Sequence, residues 1–598
     1  MKPTSEILGR IYQISGNNRK CTFTRLYRYL LREDIYMKAY SNLYANRGAE
    51  TKGTDDDTAD GFSLEYIQRI IQELKELTYE PKPVRRTYIE KRNGKLRPLG
   101  VPSFRDKLVQ DAIKQILEAI YEPIFCEHSH GFRPYRSCHT ALKEISIAFK
   151  GVKWFVEGDI KGCFDNIDHN VLLKLLSDKI KDSRFINLVR KFLKAGYLEN
   201  WVYHKTYSGT PQGGILSPVL TNIYLNELDK KVSQLAKEFE APALHCSTSV
   251  YSKLTTYIRR LRRQYGRLTN PAEKRVLLKQ IHSLEVRKRK LPCKDVSDKK
   301  IVYVRYADDF LIGIKGTREE AEGVKRKLKL FLSEELKMEL SDEKTKITHS
   351  SQNALFLGYN INVRRSNSTK RTANGIVKRT LNNTVALLIP FDRIEKFLYE
   401  RKIVKQGKDG TLTPVHKHLL SGLTEIEILD TYNALTRGLC GYYSMASNFS
   451  KLNYFTYLME YSCLKTLANK HKTTISKLKA KYRIGQTWGI AYRTKSGLKT
   501  MKIVRFCDLK RGVEFKKSEV DMITDYTYLG ARNSLEARLR ANKCELCGAE
   551  GDSYTFEIHH VNKMKNLKGK QYWEIAMLSR KRKTLVVCRE CHEKIHKS

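Results

Sequence analysis

Two adjacent aspartates, Asp308 and Asp309, close the four-residue stretch Tyr306-Ala307-Asp308-Asp309 between the mostly apolar runs Ile-Val-Tyr-Val-Arg and Phe-Leu-Ile-Gly-Ile. The β-branched and aromatic residues of Ile301–Ile314 predict two strands that meet at this turn. Paired carboxylates held between apolar strands are costly unless water or a metal ion meets their charge. An Asp-Asp dipeptide by itself is ordinary turn chemistry. A third carboxylate is at hand, however, because Asp159 directly follows the strand-like run Trp154–Gly158. Three converging carboxylates would supply the oxygen ligands that two Mg²⁺ ions need in phosphoryl transfer.

The chain around this constellation is long and basic. Its 598 residues exceed the roughly 250–300 at which single cores stop growing, so several domains are expected. Lys and Arg number 111 against 65 Asp and Glu, a formal charge of +46. Such an excess calls for a polyanionic partner, nucleic acid first. No apolar run approaches the roughly 18–20 residues that span a bilayer, so no membrane partner is expected. The opening MKPTSEILGR has no apolar signal core, and most of the thirteen cysteines are scattered singly. Both features suit a reducing cytoplasm.

Helical spacing over residues 22–79 is broken by the polar stretch Asn46–Asp60, and a hairpin with its turn at Asn93-Gly94 is predicted within Pro81–Pro102. Phe104–Tyr121 and most of 391–475 again read as helix. Tyr251–Leu291 has thirteen Lys/Arg against two Glu, with Leu254, Ile258, Leu261 and Tyr265 at helical spacing. It is either a solvated helical hairpin or an RNA-contacting one. Lys477–Arg540 carries sixteen Lys/Arg against six acids and little periodicity.

Further motifs follow in order. Phe164 lies five residues after Asp159, where an aromatic ring either packs the core or sits beneath a nucleotide sugar and excludes a 2′-hydroxyl. Ser208–Pro218, SGTPQGGILSP, has glycines that allow close backbone approach to a base pair and Gln212 to hydrogen-bond an incoming nucleotide. Through DIKGCFD, TPQGG and YADD the sequence resembles reverse transcriptases. Through KLRPLGVPSFRDKLVQ, SHGFRPYRSCHTAL, LSDEKTKI, FLGY and CELCG…IHHVN…CRECHEKIH it resembles group II intron-encoded reverse transcriptase–maturases over most of its length.

That resemblance implies an α+β multidomain fold, a right hand of fingers, palm and helical thumb with a small zinc-stabilised HNH (ββα-metal) nuclease domain. It divides the chain into an RNA-binding N-terminal extension (1–79), fingers and palm (80–365, with a basic insertion at 241–300), thumb and maturase domain (366–475), a basic DNA-binding region (476–540) and the nuclease (541–598). Asp159, Asp308 and Asp309 are then the catalytic Mg²⁺ ligands, and Lys91 and Arg97 grip the dNTP triphosphate, as cations would. Lys344 either protonates pyrophosphate or is one more helix-face lysine. Phe356-Leu357-Gly358-Tyr359 positions the primer end, Arg133 orients the active site or template, and His130 is a structural hydrogen-bonder. The implied partners are group II intron RNA in a ribonucleoprotein, target DNA and dNTPs, with a possible homodimer. The implied work is splicing and retrohoming by target-primed reverse transcription; the alternative is a splicing chaperone with secondary or lost polymerase activity.

At the C-terminal end, Cys544, Cys547, Cys588 and Cys591 form two Cys-x-x-Cys pairs suited to a tetrahedral Zn²⁺. The module is short enough that the metal should contribute to its folding. A zinc ribbon without chemistry would have the same cysteines. His559-His560, with His592 and His596 on one helix face, instead match the HNH pattern. By that pattern His560 is the base, and His559, His592 and His596 hold a divalent ion, with Mg²⁺ the implied metal. Two departures are His-His where many members have Asp-His, and Lys583-Thr584 about where the central Asn is expected.

Overall fold

The computed structural model describes residues 2–44, 46, 48–90, 94, 96–200, 202–210, 213–240, 249–291, 299–366, 368–371, 375, 377–379, 381–407, 409–494, 497–512, 535–561 and 563–597. The turn aspartates belong to a four-stranded antiparallel sheet in the spatial order Lys300–Tyr306, Asp309–Lys315, Trp154–Asp159, Lys346–His349. Side chains alternate across a strand, and here each face has its own core. Val156, Ile301, Tyr303, Phe310 and Ile312 join one apolar cluster, whereas Phe155, Val302, Val304 and Leu311 join another. A sheet buried on both sides reads as continuous apolar runs rather than alternation, as these strands do.

On the first face pack Ser217–Phe239 and Arg318–Glu334, and further out the buried helix Phe104–Tyr121 with Thr4–Asn17 and Glu33–Leu43 against it. The expected hairpin pairs Val84–Glu90 with Leu96–Val101, and Tyr197–Glu199 and Val202–His204 extend it to four strands. On the second face lie Cys138–Ala148, the strands Ala354–Phe356, Tyr359–Val363 and Val385–Leu388, and the helices Glu425–Tyr442 and Leu452–Lys470. The stretch after 477, which has little periodicity in the sequence, forms a three-stranded sheet of Arg483–Ile484, Thr487–Thr494 and Gly497–Lys502. Among the described side chains of its longest strand only Trp488, Gly489 and Ile490 are buried, too few apolar positions to register as alternation.

The basic segment is an antiparallel pair of helices, Ser249–Arg267 and Pro271–Lys290, with a small core of its own made by Ile258, Leu261, Leu277 and Ile281. Among the described residues no helix is long and apolar enough to cross a membrane. The C-terminal module is built on strands Phe556–His560 and Thr584–Cys588 and the helices Tyr572–Arg580 and Arg589–Lys597. It is joined to the N-terminal region: Phe62–Ser63 adds a third strand, pairing Phe62 with Ile558 and Ser63 with Glu557. Phe62, Leu539, Phe556 and Ile558 lie in one continuous core.

Beneath the aspartate turn an arginine is fully buried. Arg305, in the strand before the turn, donates from Nε and Nη2 to Asp229 Oδ1 and Oδ2 at 2.7 and 2.6 Å. Its Nη1 donates to the Ala307 carbonyl at 2.9 Å and to Asn222 Oδ1 at 3.2 Å. Tyr303 donates its hydroxyl to the same Asp229 at 2.8 Å. Removing one partner of a buried pair leaves an uncompensated charge. Asp229→Ala should therefore lower unfolding free energy by about 3–5 kcal/mol in denaturant titration, and replacing both residues with apolar ones should restore most of that loss.

Candidate active and metal sites

The strand register opposes Asp159 to Asp309, the last and first residues of their strands. Asp308 sits in the two-residue turn beside them, and Ala307 there has φ 56°. A left-handed alanine costs roughly 1–2 kcal/mol, and the Arg305 bond to its carbonyl holds it. Gly131, in the loop after His130, comes so close to the turn that a Cβ there would lie 2.3 Å from the Ala307 nitrogen. The loop is braced in turn by buried Arg133, which donates to Glu122 and to the Cys126 and Ser129 carbonyls. His130 is held between Thr140 and Glu144 at 2.9 and 2.7 Å.

Three carboxylates this crowded repel one another. Asp309 retains solvent access, yet its poorly hydrated setting first, and then the charges of Asp308 and Asp159, push its carboxyl up to about 7. Asp308 is raised too, by burial and by Asp159, against the charges of Arg97 and Lys344. Lys344 Nζ stands 2.8 Å from Asp159 Oδ2, and that hydrogen bond raises its own pKa. It is therefore a counterion of the cluster, placed beside it by the turn before strand Lys346–His349. Such a set of oxygens, short of positive charge, fits a binding place for divalent cations. Phe164 is half-buried beside the site, edge-on to Phe132 with centroids 6.3 Å apart. Leu357 and Gly358 form a left-handed turn, and the Tyr443 hydroxyl donates to the Gly358 carbonyl at 3.3 Å. Lys91 and Gln212 lie outside the described residues.

In the C-terminal module the sulfurs of Cys544, Cys547, Cys588 and Cys591 all lie within 4.8 Å of one another. Cys547 and Cys588 are 3.8 Å apart, about the edge of a tetrahedron with Zn–S bonds of ~2.3 Å. Burial alone would raise the Cys544 thiol, but the backbone N–H groups of Cys547, Cys588 and Leu546 outweigh it and bring it down to about 7. A thiolate is thus available near neutral pH, as a metal ligand must be.

A second cluster lies at the other end of the same strands. His559, His592 and His596 converge as their spacing implies, and Asp60 from the N-terminal region joins them, all ligand atoms within 4.8 Å. Both ring nitrogens of His559 are buried and, among the described residues, lack a well-formed hydrogen bond, although Nδ1 is 3.2 Å from Asp60 Oδ1. Buried orphaned imidazole nitrogens in a ring of donors fit a metal site. His560 is turned away from this cluster. Its Nδ1 meets Glu50 Oε1 at 3.0 Å and its Nε2 the Tyr44 carbonyl at 2.9 Å, and burial lowers its pKa against the pull of Glu50. In this arrangement neither ring nitrogen is open to water.

Asp60, Glu50 and Asp229 belong to none of the motifs read from the sequence, and Arg305, although it stands directly before Tyr306, carries no role in that reading. For Arg305 and its partner a usable signal exists, an arginine inside an apolar strand. Asp60 has none, for it lies among several acids in a polar stretch far from the histidines in sequence.

Residues 89–252 and 274–361 match the family model for reverse transcriptase (RNA-dependent DNA polymerase). Residues 382–531 match type II intron maturase, and 544–592 match AI2M/AI1M-like HNH endonuclease. The group II intron-encoded protein LtrA of Lactococcus lactis subsp. cremoris is 55% identical over 603 residues, with 100% of each chain covered. An uncharacterized 91 kDa protein in the cob intron of Schizosaccharomyces pombe is 36% identical over 583 residues, covering 95% of this chain and 69% of that one.

Because the thiolate site anchors a module whose core continues into the N-terminal region, its loss should be felt there too. Cys544→Ser should weaken metal retention by more than the ~10–100-fold typical of an outer-sphere change. Limited proteolysis should then cut around Phe62 as well as within 541–598, with metal content measured in parallel.

Proposed function

The chain belongs to the group II intron-encoded proteins, with reverse transcriptase, maturase and HNH endonuclease domains, and from that premise we propose which residues carry each activity. Asp159, Asp308 and Asp309 bind two Mg²⁺ for RNA-directed DNA synthesis. The observation that carries this reading is the strand register, which brings Asp159 opposite Asp309 with Asp308 in the adjoining turn. When bound, the ions neutralise the triphosphate and polarise the attacking 3′-hydroxyl. Arg97 and Lys91 hold the triphosphate oxygens. Lys344, already hydrogen-bonded to Asp159, supplies a proton and a positive charge where pyrophosphate leaves. Phe164 lies under the sugar and excludes a 2′-hydroxyl, Gln212 contacts the nucleotide, and Phe356–Tyr359 seats the primer end.

The layout is a right hand: fingers and palm within 80–365, thumb and maturase domain in 366–475, an RNA-binding extension before residue 80, a DNA-binding region at 476–540 and the nuclease from 541. Cys544, Cys547, Cys588 and Cys591 hold a structural Zn²⁺. His559, His592 and His596 hold the nuclease's divalent ion, and His560 is its base once free of its present partners. The protein works in the cytoplasm as a ribonucleoprotein with its intron RNA. It assists splicing, cuts target DNA and extends the new 3′ end with dNTPs. The basic helical pair of 249–290 adds phosphate-binding charge for the RNA.

Two experiments test this. With Mg²⁺, Asp308→Asn should abolish extension of a DNA primer on an RNA template and leave RNA affinity within about twofold, since a neutral amide cannot replace the carboxylate toward Mg²⁺. Extension at the wild-type rate would overturn the assignment. Replacing Arg259, Arg260, Arg262 and Arg263 by Gln should weaken RNA binding and flatten the plot of log affinity against log salt by roughly 0.7–0.9 for each phosphate no longer neutralised. An unchanged slope would leave the helical pair as a solvated surface.

A further inference from the structure

The nuclease reading places three imidazoles around a metal, which leaves a fourth position for the phosphate to be cut. In this structure that position is taken. Asp60 Oδ1 lies 3.2 Å from His559 Nδ1 and 3.3 Å from His592 Nε2. Asp60 Oδ2 lies 2.8 Å from His596 Nε2, and the His592 and His596 Nε2 atoms are 3.2 Å apart. Ligands at 2.0–2.1 Å on a tetrahedral ion stand roughly 3.3 Å from one another, so the carboxylate completes the set.

The base is covered by the same segment. A carbonyl accepts only, so His560 Nε2 must carry the hydrogen it gives to Tyr44, and Nδ1 is committed to Glu50. No nitrogen remains to take a proton from water. Around these two contacts the pairing is acid on base: Glu33 meets Arg540 at 3.3 Å and Glu65 meets Arg589 at 2.9 Å. In a chain of net charge +46, four carboxylates of the N-terminal region, Glu33, Glu50, Asp60 and Glu65, thus face the cationic and imidazole groups of the nuclease and of Arg540 just before it. The backbone seam is short, two residues of strand at Phe62–Ser63 with the Gly61 N–H donating to the Ile558 carbonyl at 3.1 Å. A seam this short can be reopened.

We propose that the N-terminal segment Glu50–Ser63 is an internal stand-in for DNA that shuts the nuclease, with Asp60 as the fourth metal ligand in the place of the scissile phosphate and Glu50 occupying the base. This rests on the nuclease reading above. A competing polyanion, duplex DNA, opens the site by taking the cationic partners of Glu33 and Glu65 and displacing the Asp60 carboxylate. Metal binding and closure support each other, whereas cleavage requires opening.

The test uses the full chain with its thiolate site filled by Zn²⁺ and titrated with Co²⁺, whose absorption distinguishes four-coordinate from higher coordination. Asp60→Asn keeps an acceptor for the His560 backbone N–H, which donates to Asp60 at 2.7 Å. It should bind Co²⁺ more weakly by at least the ~10–100-fold typical of an outer-sphere change and lose the four-coordinate spectrum. At saturating Co²⁺, Glu50→Gln with Asp60→Asn should cut duplex DNA about tenfold faster than wild type, the gain available if roughly one chain in ten is open at rest. Affinity and turnover then move in opposite directions. Unchanged Co²⁺ affinity and spectrum would remove Asp60 as a ligand and overturn the proposal. A fall in both affinity and cleavage would overturn it as well, by making Asp60 a working ligand. If Co²⁺ binding responds as expected but neither protein cuts any duplex, closure by Asp60 stands and the nuclease reading fails. If His559→Ala leaves Co²⁺ binding unchanged, both fall.

Discussion

Arg305 and Asp229 form an ion pair with no exposed side-chain surface, and the geometry of the aspartate turn hangs on it. The guanidinium holds the Ala307 carbonyl and so the left-handed backbone that presents Asp308 and Asp309. Through Asn222, whose amide donates to the Gly131 carbonyl at 2.9 Å, it also fixes the loop on which the turn rests. A buried pair is weak evidence for stability in itself, since desolvation can match the attraction. What it supplies here is a fixed direction: a bidentate fork with two further donors cannot rotate without losing several bonds.

The carboxylate sheet is the wall between two apolar cores, and this explains where its charges lie. Most interior positions of these strands are apolar because both faces are buried, Arg305 and Glu157 being the charged exceptions. Arg305 is met by Asp229, and Glu157 accepts from Thr348 and the Leu355 N–H, so the carboxylates without such partners collect where the strands end, and there Asp159, Asp308 and Asp309 meet, with Lys344 hydrogen-bonded to Asp159. The raised carboxyls of Asp308 and Asp309 follow from that concentration. A divalent ion would relieve it, so the electrostatic cost of the site and its affinity for cations have one origin.

Much of this was legible in the chain because it depends on local pattern. The apolar runs flanking Asp308 and Asp309 gave the two strands, the spacing of Phe104–Tyr121 gave its helix to the residue, and the four-residue interval of His592 and His596 put both on one helix face. What the chain did not disclose depends on pairing across long separations. Asp60 is one acid among several in a polar stretch, and only the strand pairing of Phe62 with Ile558 brings it to the histidines. His560 follows the pattern of a base, yet its neighbours Glu50 and Tyr44 come from the opposite end of the sequence. The N-terminal and C-terminal units that the family resemblance implies share one core around Phe62, Leu539 and Ile558, because apolar surface on both sides of a boundary is removed from water most completely when the two sides pack together.

The pairing of Phe62 with Ile558 also sets an order of events during synthesis. At about 5–20 residues per second, a ribosome reaches Ile558 roughly 25–100 s after Phe62. Throughout that interval the Phe62–Ser63 edge and the ring of Phe62 have no partner from the C-terminal module. They are a place where a nascent chain is open to chaperones or to a neighbouring copy. When the histidines finally emerge, the segment that receives them has long been made and is waiting on a folded surface. The C-terminal module thus docks on a surface made long before it.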